Sequence, residues 1–283
     1  MGFKNPFALG SDLWDPSYRF ETSWLISPWL LFACRALISL YSFATLFFTI
    51  GWYCTHQELG GCAAVGREFS YFTIITFWGI AFYFLVAATH TLTYALRSRP
   101  LLDSFPRFLQ ALHSLYYTTI VTYPFIVTIV FWILLYENPW FPIRFQAWKN
   151  VTQHGLNSAF ALFEIFVPRT APPPWIHILW LILMLVGYVG VAFLTYADQG
   201  FYTYSFLDYE EVGGRGMVAA YVLGIAVASI VIFLVAWLLI WSRRWLTETK
   251  LGMDGKFAKQ RTSVADMEMN TVQPNERTKS PVF

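Results

Sequence analysis

The chain has 283 residues, 57% of them hydrophobic and 20% aromatic but only 13% charged, with a mean hydropathy of +0.48. That composition excludes an ordinary soluble domain and points to a protein whose solvent is a membrane. The formal net charge is only +2 and no basic run is interleaved with aromatic residues, so nucleic acid is excluded as a partner class.

Roughly 17–25 apolar residues are needed to cross about 30 Å of hydrocarbon. Six windows meet that length, at 27–52, 69–95, 115–136, 151–167, 175–196 and 217–241. Each is continuous rather than alternating, and unpaired backbone groups are prohibitive in lipid, so the spans are expected to be helices and not barrel strands. The expected fold is all-α: a six-transmembrane-helix bundle over 1–245, followed by a disordered cytoplasmic tail over 246–283, where Lys, Gln, Thr, Asn and Glu replace the large apolar residues.

With six spans, one side carries Lys4, Arg19, Arg97, Arg99, Arg107, Arg169, Arg243 and Arg244, and the other only Arg67, Arg144, Lys149 and Arg215. The bias of basic residues toward the cytoplasm places both termini there. No cleavable leader is expected, because the first 22 residues lack a continuous apolar core and the first span can serve as its own insertion signal.

The connections carry smaller signals. Cys54 and Cys62 share the first non-cytoplasmic loop, where a short disulfide is permitted, whereas Cys34 falls within a span. Asn150-Val151-Thr152 is a glycosylation sequon lying against the membrane, where its use is not expected. The segment 98–114 mixes apolar residues with Arg107, Gln110 and His113, as an amphipathic helix along the cytoplasmic interface would. Pro172-Pro173-Pro174 makes a stiff, short connector.

Soluble-enzyme signatures are missing: there is no Gly-x-Ser-x-Gly, His-Glu-x-x-His or Cys-x-x-Cys, and Gly213-Gly214-Arg215-Gly216 lacks the lysine of a phosphate loop. The unusual residues are His154 and Glu164, ionisable side chains inside the fourth span, where such groups are costly and face the bundle interior or water. At 100° per residue, His154, Asn157, Ala161 and Glu164 fall within an arc of about 80°. Thr73 enters the second span and His154 the fourth from the same side, at similar depth. Glu164 lies about 15 Å further along the axis, too far to orient that histidine; its partner is expected on another span, Arg35 being one candidate. Asn157 and Ser158 read as helix-packing residues. A threonine hydroxyl beside a neutral imidazole is a nucleophile and its base.

Three segments resemble the androgen-induced, androgen-dependent family of multi-pass membrane proteins, hydrolases of fatty acid esters of hydroxy fatty acids. They are Tyr71-Phe72-Thr73 with its aromatic-rich helix through Phe82-Tyr83-Phe84, His154 with Glu164 and a proline-containing loop, and Gly200, Tyr204, Phe206, Leu207 and Asp208 before a Gly-rich turn. The resemblance implies Thr73 as nucleophile and His154 as base, with Asp208, Tyr204 and Glu164 in support, no metal or organic cofactor, and a lipid ester as substrate among membrane lipids. It also implies an endomembrane, the endoplasmic reticulum first, rather than the plasma membrane. Phe72, Phe77, Trp78 and Phe160 are the residues expected to line the acyl-chain path. His154-Gly155-Leu156-Asn157-Ser158 is similar to a segment of the rolling stone proteins, linked with cell fusion. That likeness keeps open an alternative: a non-enzymatic interaction protein or a small transporter.

Overall fold

The computed structural model describes residues 14–253. Among these the only strand-like feature is an isolated bridge between Ser23 and Pro168, and everything else regular is helical.

Five helices are long and apolar enough to cross a membrane: Pro28–Thr55, Phe72–Arg97, Arg107–Leu135, His177–Gln199 and Arg215–Lys250. The first, α1 (Pro28–Thr55), starts cleanly because Ser27 accepts from the Leu30 N–H and Pro28 supplies a pre-set φ without a donor to satisfy. It leads through a short 3₁₀ turn into α2 (Gly61–Glu68), and a disulfide between Cys54 and Cys62, which the sequence permitted without requiring, joins the two. Next, α3 (Phe72–Arg97) packs along α1 in the most extensive helix pair of the bundle.

The third crossing is broken. Helix α4 (Arg107–Ile120) ends at Val121, and α5 (Tyr123–Val130) restarts with Pro124 in its first turn, where the missing N–H costs nothing. A π turn, Phe131–Leu135, ends it. The expected interfacial helix over 98–114 is replaced: Leu101–Ser104 forms a 3₁₀ turn, and Arg107 onward is the start of the crossing, with Gln110 and His113 buried inward. Polar residues on one face read as an interface helix in sequence because a partner within the bundle gives the same pattern.

The fourth expected span is an unbroken helical rod over 144–166, made of α6 (Arg144–Val151), a π turn (Thr152–Leu156) and α7 (Asn157–Phe166). Its polar side chains keep it out of the apolar set. The bundle is completed by α8 (His177–Gln199), stopped by Gly200 at φ 74°, and α9 (Arg215–Arg244). This last helix runs past the expected end of the membrane domain through a further π turn, Trp245–Lys250. There Glu248 binds Arg19 at 2.6 and 2.8 Å, so 246–250 belong to the folded part. The rest of the expected tail, from 254, and Lys4 lie outside the described residues.

The main core gathers Leu46, Phe77, Ile80, Phe84, Tyr117, Ile165 and Ile240 between α1, α3, α4, α7 and α9. Within it sits the partner of Glu164. Arg35 Nε and Nη2 donate to its two carboxylate oxygens at 2.8 Å each, Arg35 Nη1 donates to Thr91 Oγ1 and the Phe20 carbonyl at 2.7 Å, and Tyr83 donates to Glu164 at 3.1 Å. Asn157 and Ser158 bind the Pro124 carbonyl at 3.2 Å, and Thr128 donates to Asn157 Oδ1 at 3.0 Å, which fastens the rod to α5.

Candidate functional site

The N-terminus of α3 has no side-chain cap of its own, and its orphan donors need partners. The Phe72 N–H is met by two phenols, Tyr188 from α8 and Tyr204 from the loop before α9, each at 3.1 Å. Tyr188 in turn donates to the Ser70 carbonyl at 2.9 Å. Thr73 therefore sits in the first turn of a clamped helix end, directly after the residue whose N–H the two phenols hold. Burial, with the Tyr188 phenol beside it, holds the Tyr204 phenol well above its ordinary range, so it stays protonated.

His154 comes from the π turn of the rod. Such turns add one residue to the helix and recur at functional positions. The imidazole lies flat on Phe131, ring centroids 3.5 Å apart at 9°, and Trp132 Nε1 donates to the His154 carbonyl at 2.9 Å. His154 Nδ1 is 3.1 Å from the Asn150 carbonyl oxygen. A carbonyl only accepts, so Nδ1 carries the proton and Nε2 presents its lone pair, as a base requires.

Thr73 and His154 line one cavity of about 290 Å³, together with Glu68, Tyr71, Lys149, Asn150, Gln153, Thr203, Tyr204 and Ser205. Lys149 closes one wall, bound to Glu68 at 2.6 Å and to the Tyr53 hydroxyl at 3.0 Å. A second, almost wholly apolar cavity of about 90 Å³ adjoins it, sharing Thr73, Phe131, Leu135 and Tyr204 and continuing between Ile126, Leu185, Val222 and Ala226. A single water needs about 10–15 Å³ on this measure, so there is room for a chain of several heavy atoms. Thr73 stands where the polar and apolar spaces meet.

The sequence-derived residues divide. Thr73, His154 and Tyr204 come together on the cavity wall. Asp208 does not line it: its carboxylate accepts from the Glu210 N–H at 2.9 Å and it borders a separate acidic hollow with Glu210 and Glu211. Glu164 is spent on Arg35. Of the aromatic residues expected along an acyl path, Phe72 lines the apolar cavity, whereas Phe77, Trp78 and Phe160 pack in or against the main core. Gln153 and the Glu68–Lys149 pair were missed, although adjacency to His154 marks the first, and Lys149 read as a topology charge.

A second threonine and histidine also meet, Thr118 Oγ1 and His177 Nδ1 at 2.6 Å. Thr118 gives its single proton to the Ser114 carbonyl at 3.0 Å, so His177 must be the donor to it. That polarity is the reverse of a nucleophile and base, and the pair is structural. No group of three or more potential metal ligands occurs among the described residues.

An all-α membrane protein with a hydroxyl and an imidazole on the wall of one open cavity is the class that fold and site define. Residues 31–239 match the FAR-17a/AIG1-like protein family, the androgen-induced gene 1 family, and the chain belongs to it. No curated protein and no solved structure matches the chain.

Proposed function

We propose that the protein is an integral-membrane hydrolase of lipid esters, fatty acid esters of hydroxy fatty acids or similar, with Thr73 as nucleophile and His154 as base. The observation that carries this reading is the shared cavity, where Thr73 and an imidazole with its Nε2 lone pair free stand at the mouth of an apolar channel. The acyl chain occupies the channel, and its burial contributes roughly 25 cal/mol per Å². Thr73 Oγ attacks the ester carbonyl carbon while His154 Nε2 takes the hydroxyl proton. The tetrahedral intermediate collapses, the C–O bond to the alcohol breaks, and His154 returns the proton to the leaving alkoxide. Water, deprotonated by the same nitrogen, then attacks the acyl-threonine ester and releases the fatty acid and Thr73. Tyr204 positions the helix end that carries Thr73.

Six crossings with both termini cytoplasmic form part of the same proposal. Arg19, ahead of α1, binds Glu248, beyond α9. Two ends on one face require an even number of crossings, which supports counting the 144–166 rod as the sixth. An endomembrane location is proposed with the family resemblance as its support.

The broken helix at Val121 is the feature a small transporter would share. Against that reading, the Arg35–Glu164 pair deeper on the same rod is 1% and 0% exposed and lines none of the cavities. A rolling-stone-like interaction protein would leave the cavity without work.

Membranes carrying wild type, Thr73→Ala or His154→Ala at matched levels, assayed on a fatty acid ester of a hydroxy fatty acid and on a p-nitrophenyl acyl ester, test the proposal. Turnover present in wild type and lost in both variants is expected. Wild type no better than empty membranes, or variants equal to it, would overturn the reading and bring the non-enzymatic alternative forward.

A further inference from the structure

Attack on an ester builds negative charge on the carbonyl oxygen, and the site so far described has no donor assigned to it. Gln153 shares the π turn with His154 and lies on the wall of the same cavity. It is 1% exposed, and its side-chain nitrogen is enclosed with no hydrogen-bond partner among the described residues. A buried N–H left unpaired costs about 1–3 kcal/mol, and native folds retain few of them without a use. The other nitrogen-bearing side chains of that wall are engaged: Asn150 donates to the Gln146 carbonyl at 2.9 Å, Lys149 holds Glu68 and Tyr53, and His154 Nδ1 is tied to Asn150.

Geometry allows the Gln153 amide to move. On its far side is a small hollow of about 20 Å³ lined by Leu46, Tyr53, Ile74 and Trp78, so the carboxamide stands between two spaces rather than inside solid packing. The first turn of α3, carrying Thr73, borders the same cavity, and the partial positive charge of a helix N-terminus favours an anion there.

We infer that Gln153 is a further catalytic residue, whose carboxamide N–H donates to the carbonyl oxygen of the bound ester and to the oxyanion formed when Thr73 attacks. This rests on the hydrolase reading above and extends it to the residue stabilising the transition state. The ester supplies the partner that the folded chain lacks. Because the bond strengthens as negative charge develops on that oxygen, its loss is read mainly in kcat.

The experiment is steady-state hydrolysis of a p-nitrophenyl acyl ester by the full-length chain in membranes, as wild type, Thr73→Ala, Gln153→Met and Gln153→Glu. Met keeps the length without a donor; Glu keeps the shape and offers only acceptors when ionised. In both Gln153 variants kcat is expected to fall by about 10²–10³, with KM changed by less than about threefold. A packing role would instead lower the amount of folded protein and leave kcat per folded molecule intact. If Thr73→Ala is inactive while both Gln153 variants keep kcat within about threefold of wild type, the Gln153 assignment falls and the hydrolase reading stands. If Thr73→Ala turns over like wild type, the hydrolase reading falls and takes Gln153 with it. Should Gln153→Met fail to accumulate, the isosteric Gln153→Glu decides.

Discussion

One helical rod, 144–166, carries His154 at its middle and Glu164 near its C-terminal end, and the two positions are built on opposite principles. At Glu164 the charge is used up: both carboxylate oxygens and all the guanidinium nitrogens of Arg35 are hydrogen-bonded within a closed core. At His154 one ring nitrogen is committed and the other presents its lone pair, and the neighbouring Gln153 side-chain nitrogen has no partner among the described residues. Depth in the membrane alone did not separate these two residues, since both are costly there. What separates them is saturation: the satisfied group holds the bundle together, and the unsatisfied one is available for chemistry.

The sharpest way to break this comparison is to exchange the phenotypes. In an ester hydrolysis assay, His154→Ala is expected to lower turnover by about 10²–10⁴, with the thermal midpoint in detergent little changed. Glu164→Leu leaves Arg35 buried without its counter-charge and is expected to cost about 3–5 kcal/mol of stability, seen as a lower melting temperature and less folded protein. Activity per folded molecule should persist. A stable but inactive Glu164→Leu would place Glu164 in the site and defeat the contrast. The double replacement Arg35→Leu with Glu164→Leu, which removes both charges, should recover much of the loss in the same melting assay. No recovery would mean that the bonds to Thr91 and Phe20 matter more than the pair.

Tyr204→Phe keeps the ring and removes one of the two hydroxyls on the Phe72 N–H. A fall in turnover of about tenfold, near 1.4 kcal/mol, is expected, with binding preserved. An unchanged rate would show that Tyr188 alone positions the helix end. The smallest effect concerns Glu21, ahead of α1. Both its carboxylate oxygens are buried without a partner among the described residues, and desolvation first, then the nearby Asp15, raises its pKa well above 4.5. The native state thus holds this proton more tightly than the unfolded chain. The resulting stabilisation is fully present below 4.5 and is lost as pH rises toward the raised value. Glu21→Gln removes that dependence, so its melting temperature should exceed that of wild type at neutral pH and converge with it on acidification. Parallel pH profiles would contradict the assignment.

How much of this was legible in the sequence depends on whether a feature is local or assembled. The all-α class and the apolar spans follow from composition and segment length. The expected topology put Thr73 and His154 at one level, and the two line one cavity; the family likeness rests on ordered local segments. The 80° arc marked the side turned inward, since His154, Asn157, Ala161 and Glu164 are all buried, but not which neighbour each meets, because a regular 100° per residue does not hold across the π turn at Thr152–Leu156. His154 meets Phe131 on α5, Asn157 and Ser158 meet Pro124, and Glu164 turns to Arg35. Arg35 was one of several open partners, as choosing among them needs the packing of α1 against the rod. The surroundings of single aromatics were hidden for the same reason: Phe72 and Phe77 both read as membrane aromatics, yet one borders a cavity and the other is in the core. Gln153 reads as an ordinary polar residue until the absence of a partner is seen in three dimensions.

The bond between Arg19 and Glu248 has a mechanical meaning. By fastening the segment ahead of α1 to the turn beyond α9, it closes an open string of helices into a ring. A pull on the C-terminal segment, from a binding protein or a fused domain, loads this clasp, with Arg244 and Arg169 beside it at 3.4 and 4.0 Å, before it loads α9 and the channel that α9 borders. The clasp therefore shares such a load between α9 and the segment ahead of α1.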